Sequence, residues 1–229
     1  MNAPRTARER ARAELTREIL TAARRQLGEV GPSALSLRAV ARELEMASSA
    51  IYRYFKSRDE LLTALILEAY NAVGEAAEAA DDPVAEPIER WAGIWRGVRE
   101  WALANPHEFA LLFGTPVPGY AAPQETTAAA SRMPLVLAKV VFDAKAAGAL
   151  ALPPAPPCDP ALIELDLGEL LPGTVFSAEE GARVLLAWNR LVGILSYELH
   201  GHLHGVTADD AGFFDYTARV SGAFAGLPV

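Results

Sequence analysis

The chain has 229 residues, 51% hydrophobic and 22% charged, which excludes a collagen-like or wholly disordered polymer and suits one large domain or two small ones. No apolar run approaches the roughly 18 residues of a membrane span, and the opening MNAPRTARERARAELTRE lacks the apolar stretch of a signal peptide, so the expected location is the cytoplasm. The net charge of −8 conceals an asymmetry: residues 1 to 60 carry twelve Lys and Arg against eight Asp and Glu, and residues 61 to 229 carry nine against twenty-one. A basic segment suited to a polyanion therefore precedes an acidic body.

Helical periodicity dominates and no stretch alternates like a strand, so the expected class is all-α. A first helix carries Leu15, Ile19, Ala23 and Leu27 and stops at Gly31-Pro32. A short second one follows Ser36, with Leu37, Val40, Ala41 and Leu44 on one face. A third spans about Ser48 to Tyr54, with Ile51 and Phe55 inward. Ser57-Arg58-Asp59-Glu60 reads as a capping box, opening a long helix from Leu61 to about Ala80. Pro87 precedes a helix with Trp91, Ile94, Trp95, Val98 and Trp101 or Ala102 along one stripe. Asn105-Pro106 restarts the chain as a short helix to about Phe113, with asparagine as its cap. A Gly- and Pro-rich loop, 114 to 123, leads to a helix from Gln124 or Ser131 to Ala147. Residues 153 to 160 form a loop, and Pro172-Gly173 closes one more short helix. Ser177-x-x-Glu180 and Thr207-x-x-Asp210 start two final helices. There is no internal repeat.

Three short N-terminal helices, with about four residues between the second and third, predict a helix-turn-helix whose later helix enters a major groove. Ser48 and Ser49 are small donors at the start of that helix, and Ala50 permits close backbone approach. Tyr52, Arg53, Tyr54 and Lys56 reach bases or phosphates, and Arg38 opens the partner helix. Arg5, Arg8, Arg10 and Arg12 form an arm that either adds phosphate contacts or stays free. The expected partner is double-stranded operator DNA.

The run from Leu35 to Leu62, with Ala41, Leu44, Ala50, Tyr52, Phe55, Lys56, Ser57, Glu60 and Leu61-Leu62 at matching spacings, resembles the DNA-binding domain of the tetracycline repressor-like (TetR) family. The family's turn usually has glycine followed by valine or isoleucine, where this chain has Glu45-Met46. If that turn needs positive φ, Glu45 is mildly strained. Trp101 to Tyr120 and Trp188 to Leu199 resemble a C-terminal subgroup named for a Trp-His-Gly motif. Trp188 and Gly193 are kept, but Val192 stands where the histidine is expected, so no ligand role of that histidine carries over. The resemblance implies a homodimeric, ligand-released repressor with a DNA-binding head, residues 1–60, and a ligand-binding and dimerising body, residues 61–229. The small-molecule effector is not named by it.

For the effector pocket the candidates are apolar Trp95, Trp101, Phe109, Phe113, Met133, Phe142 and Trp188, with His107 and Tyr120 as polar groups; plain core packing is the alternative. For the dimer interface they are Trp188, Leu191, Leu195, Phe213, Phe214 and Tyr216, in a four-helix arrangement. His200 and His204 have the i, i+4 spacing of two zinc ligands, although Gly201 and Gly205 suggest a helix end, where histidines suit the dipole. They motivate an alternative, a DNA-binding regulator that answers to a metal or a protein partner. Cys158, the only cysteine, forms no internal disulfide. No Gly-x-Ser-x-Gly, phosphate loop, His-Glu-x-x-His or Cys-x-x-Cys is present, so neither catalysis nor a cofactor is expected.

Overall fold

The computed structural model describes residues 6–163 and 175–229. Among them the regular elements are all helical: α1 Ala7–Val30, α2 Leu37–Glu43, α3 Ser48–Ile51, α4 Arg58–Ala79, α5 Pro87–Ala104, α6 Pro106–Phe113, α7 Thr126–Ala146, α8 Ala178–Leu199 and α9 Asp210–Phe224. Short 3-10 turns occur at Pro32–Ala34 and Pro160–Leu162. The helix expected to close at Pro172-Gly173 lies outside the described residues. Two compact units result: the chain up to Ala69 together with His107–Thr127, and Tyr70–Pro106 together with Ala128–Val229. This partition differs from a cut at residue 60, because the first unit also takes the start of α4, most of α6 and the loop after it.

In the first unit, α1 opens with a capping box. Thr6 Oγ1 accepts from the Glu9 N–H at 3.2 Å, and the Glu9 carboxylate accepts from the Thr6 N–H at 2.8 Å. Arg8, Arg10 and Arg12 are therefore helical side chains and not a free arm, while Arg5 lies outside the described residues. Ile19, Ala22, Ala23, Gln26 and Leu27 form the buried face of α1. Gln26 Oε1 accepts from the Ser36 N–H at 2.7 Å and so ties the start of α2 to α1, whereas the Ser36 side chain makes no cap bond.

Helix α2 ends in a Schellman turn: the Met46 N–H donates to the Ala41 carbonyl at 2.8 Å and the Glu45 N–H to the Arg42 carbonyl at 3.2 Å. That geometry needs a left-handed residue, and Glu45 supplies it with φ 54°. The expected third helix is shorter than its apolar spacing suggests. Regular α3 stops at Ile51, whose carbonyl accepts from the N–H groups of both Tyr54 and Phe55, at 2.9 and 3.1 Å. Ile51 and Phe55 are nevertheless buried, beside Ile19, Val40, Leu61 and Leu65. At the start of α4, Ser57 Oγ accepts from the Glu60 N–H at 3.1 Å, but Glu60 reaches the Lys56 N–H, at 2.6 Å, in place of the Ser57 N–H expected for a capping box.

Four contacts dock residues 107–127 within this unit. Arg24 of α1 pairs with Glu68 of α4 and, at 2.9 Å, with Glu108 of α6. Val117 enters the core cluster, and the Tyr120 hydroxyl lies 2.9 Å from that of Thr63. The His107 ring covers Gly28, where a Cβ would stand 2.9 Å from the ring.

In the second unit α5 supplies the core with Trp91, Ile94, Trp95, Val98 and Ala102. Trp91 Nε1 donates to the Ala218 carbonyl at 3.0 Å, and the Trp95 and Phe214 ring centres are 5.7 Å apart. Helices α5 and α9 approach closely at Gly222, where a Cβ would fall 2.7 Å from Ile88 Cδ1. Arg90, 6% exposed, is held by Asp81 and, at 2.7 Å, by Asp143. Arg99 meets Glu198 of α8 in a two-pronged pair. Ser177 and Glu180 form the expected capping box. Thr207 does not cap α9: Asp209 holds that position, and the Thr207 hydroxyl instead donates to Asp210. Asn105 serves the preceding helix, its Nδ2 donating to the Trp101 carbonyl at 2.8 Å.

Glu45→Gly removes the β-carbon from a left-handed residue at some cost in unfolded-chain entropy, for a net gain of about 0.5–1 kcal/mol. Calorimetry should show a rise in Tm of about 1–4 °C. Arg90→Met takes the guanidinium from Asp81 at a poorly solvated site, while Asp143 keeps Lys139, and should cost about 3 kcal/mol in denaturant unfolding.

Burial alone would raise the pKa of Asp143, Glu180 and Asp215, but hydrogen bonds outweigh it and hold all three below the ordinary range. The partners are Lys139 and Arg90 for Asp143, Lys145 and Ser177 for Glu180, and Arg219 and Arg96 for Asp215. The unfolded chain therefore binds more protons in the acidic window, and stability there rises with pH. Unfolding free energy should be level from pH 7 to about 5 and decline as pH falls through the lowered values, below about 4.

Candidate nucleic-acid interface

The outer side of the helix-turn-helix is assembled by burying its inner side. With Ile51 and Phe55 fixed in the core, Ser48, Ser49, Tyr52, Arg53 and Lys56 are left exposed. Ala50 is half-buried, as suits a residue beneath a closely approaching surface. Tyr54 turns inward and packs half-buried against the core, so it does not share the exposure of Tyr52 and Arg53. Arg38 is exposed in the first turn of α2.

Arg38 and Tyr52 border one groove of about 390 Å³, lined also by Leu35, Ser36, Leu37, Ser57 and Arg58. Two of these residues, Ser57 and Arg58, were legible in the sequence only as a helix cap. The Arg58 guanidinium donates to the carbonyls of Pro32 and Ser33, at 2.7 and 3.1 Å, bracing the loop before α2. Arg12 also engages this face: its Nη2 donates to the Arg53 carbonyl at 3.1 Å, and its guanidinium carbon lies 5.3 Å from the centre of the Tyr54 ring. Chemically the arrangement offers exposed cations and hydroxyls, the groups that meet a duplex backbone, and leaves Tyr52 and Arg53 exposed where base edges can be met.

The pocket candidates are divided between the units. His107, Phe109, Phe113 and Tyr120 belong to the first, where Phe109 and Phe113 have ring centres 5.0 Å apart and Tyr120 bonds Thr63. Trp95, Trp101, Met133, Phe142 and Trp188 belong to the second. There Trp95 and Met133 are buried, Trp101, Phe142 and Trp188 are half-buried, and Phe142 faces Phe176 at 6.3 Å. The indole N–H groups of Trp95 and Trp188 are both buried and have no hydrogen-bond partner among the described residues.

Three of the expected interface residues are corrected. Leu191, Leu195 and Phe214 are at most 1% exposed because they pack into the chain's own core. Phe213 and Tyr216 are exposed, Trp188 is half-buried, and the sequence reading missed exposed Leu186, Tyr197 and Val220. The i, i+4 relation of His200 and His204 on a helix does not form. Helix α8 ends at Leu199, His200 Nδ1 lies 2.7 Å from the Ser196 carbonyl, and Gly201 turns the chain at φ 73°. Among the described residues no group of three or more His, Cys, Asp or Glu is placed to hold a metal, and no helix is long and apolar enough to cross a membrane.

An all-helical chain with an exposed basic helix-turn-helix defines a DNA-binding regulator. Two family models match: "Bacterial regulatory proteins, tetR family" over residues 19–65 and "Tetracyclin repressor-like, C-terminal domain" over residues 91–220. The chain is 38% identical to the HTH-type transcriptional regulator Rv1816 of Mycobacterium tuberculosis over 223 residues, covering 92% of each chain. The solved structure of a regulatory protein, SCO4313, is 34% identical with a TM-score of 0.76, covering 96% of this chain and 98% of that one. A second solved structure, from Rhodococcus sp. RHA1, shares the fold at 24% identity and a TM-score of 0.70, covering 93% and 95%. The chain belongs to the TetR family of DNA-binding transcriptional regulators.

Proposed function

We propose that the protein is a cytoplasmic, homodimeric repressor released from its operator by a small-molecule effector, and that it has no enzymatic activity. The observation that carries the DNA contact is the exposure of Tyr52, Arg53 and Lys56 beyond a buried Ile51–Phe55 anchor, with Arg38 and Tyr52 on one groove. Ser48, Ser49 and Ala50 meet the backbone of the duplex, and Tyr54 acts from behind the reading surface. The head is residues 1–60 and the body 61–229, with residues 107–127 as the part of the body docked on the head's core. Membership of the Trp-His-Gly subgroup is supported by the stretches Trp101–Tyr120 and Trp188–Leu199, in which Trp188 and Gly193 of the motif are kept and Val192 replaces its histidine.

The dimer reading is supported by apolar side chains that a single chain leaves in water. On α8, Leu186 and Tyr197 stand three turns apart, with exposed Gly193 between them. On α9, Phe213, Tyr216 and Val220 recur at i, i+3 and i+7. Beside them a largely apolar groove of about 560 Å³ is lined by Ile194, Tyr197, Leu203, Val206 and Phe213, among others. The effector reading draws on the indole N–H groups of Trp95 and Trp188, which have no hydrogen-bond partner among the described residues. Such donors in an apolar interior suit a mostly apolar ligand that brings a hydrogen-bond acceptor.

Fluorescence anisotropy on DNA just upstream of the protein's own gene tests the operator reading. Wild type should bind with a steep salt dependence. Arg53→Ala/Lys56→Ala should bind at least tenfold more weakly, with a salt slope smaller by about 1.8 if each cation neutralises one phosphate. Equal, weak binding by both proteins would overturn it. In sedimentation, wild type should be dimeric at micromolar concentration and Tyr216→Asp/Val220→Asp monomeric; a monomeric wild type would sink the dimer.

A further inference from the structure

We propose that Arg12 is a positioning residue for DNA readout, a clamp from α1 that sets the pose of the Tyr52–Arg53–Tyr54 turn without itself contacting phosphate. The inference rests on the DNA-binding reading of the head. Helix α3 is a single turn of four residues, far below the length at which a helix sustains itself. The residues after it continue as turns, and Arg53 itself is exposed. What holds this segment is Ile51 and Phe55 on the core side and Arg12 on the other. The Arg12 guanidinium makes two contacts there that differ in kind: it donates to the Arg53 carbonyl at 3.1 Å and lies 5.3 Å from the Tyr54 ring centre, within cation–π range.

Those contacts constrain different freedoms. The hydrogen bond fixes the peptide after Arg53, and hence the direction in which the Arg53 side chain leaves the turn. The ring contact holds Tyr54 in its half-buried place, so that Tyr52, two residues earlier, faces outward. Making both at once suits a planar guanidinium, which offers several N–H groups in one plane and a face for an aromatic ring; a lysine ammonium can make either contact but, as a point charge, holds the two together less well. The shape requirement separates a clamp from a phosphate contact, because lysine serves well as a point charge against phosphate.

The test uses the full-length protein, the consensus duplex it recovers from a randomised library, and a scrambled duplex of the same composition. Arg12→Lys should lose about tenfold in affinity for the consensus duplex and keep its affinity for the scrambled one. The specificity ratio then falls about tenfold, with the salt slope unchanged and Tm within about a degree of wild type. Two results would overturn the proposal: Arg12→Lys binding like wild type, or Arg12→Met weakening both duplexes equally with a slope smaller by about 0.9.

Amide exchange in the DNA-free protein gives an independent arm. Arg12→Lys should accelerate exchange at Tyr54 and Phe55 and leave Ile19 and Leu65 unchanged; unaltered exchange at Tyr54 and Phe55 rejects the clamp. If the wild type recovers no sequence preference, sequence-specific binding fails, and the exchange result still decides whether Arg12 holds the turn.

Discussion

The head depends on the burial of Ile51 and Phe55, four residues apart across the end of a one-turn helix. A segment that short has almost no helical stability of its own, since nucleation fixes several dihedrals for each hydrogen bond gained. Its geometry is therefore borrowed from the core formed by α1, α2 and the start of α4, where Ile19, Val40, Leu61 and Leu65 receive the two side chains. Burying an Ile and a Phe contributes on the order of 1.5–3 kcal/mol each, enough to orient a turn that would otherwise be disordered. Exposure of Tyr52, Arg53 and Lys56 follows from that anchoring: once Ile51 and Phe55 are committed inward, with Tyr54 packed half-buried beside them, these three positions are left facing outward.

Glu45 shows how one residue type conflicts with the fold it sits in. The Schellman geometry after α2 is set by the Ala41–Met46 and Arg42–Glu45 hydrogen bonds, and it fixes how α3 follows α2. It requires a left-handed residue where the family usually places glycine, and this chain accepts the strain of a β-carbon at φ 54°. The compensation is visible nearby: Met46 packs against the core, adding the apolar contact that commonly accompanies this motif.

Much of this was legible in the sequence because it is local. The apolar spacing of Ile19, Ala23 and Leu27, the Ser177–Glu180 box and the glycine turn after α8 each depend on residues within one or two turns of one another. The misreadings have long-range causes. Leu191, Leu195 and Phe214 have the periodicity of an interface, and only the packing of α8 and α9 with α5 shows that their stripe faces inward while Leu186, Tyr197 and Tyr216 face out. Likewise nothing in the composition of the loop after α6 announces that Val117 belongs to the head's core or that Tyr120 would meet Thr63, 57 residues away in sequence. Arg12 was open to either a phosphate contact or a free arm because its partner lies 41 residues distant.

The docking of residues 107–127 bears on the effector release proposed above. Coupling between an effector and DNA requires an element whose arrangement differs between the DNA-competent and DNA-incompetent states, and the free energy exchanged is the same in both directions. This segment qualifies by connectivity alone, being continuous with α5 at one end and α7 at the other while its side chains are spent on α1, α4 and the head's core. The anchors are unequal in the strength with which they hold. Arg24 is more than a third exposed, so its attraction to Glu108 is partly screened although the carboxylate itself is mostly covered. Val117 is buried, and the Tyr120–Thr63 hydrogen bond is largely shielded. A shift that loosened the partly screened Arg24–Glu108 pair but kept Val117 in place would cost less than extracting Val117, which would forfeit apolar burial worth on the order of 1.5–3 kcal/mol, comparable to a typical allosteric coupling energy. Under the proposed effector release, a shift of this segment against α1 and α4 therefore reaches that size only by withdrawing Val117.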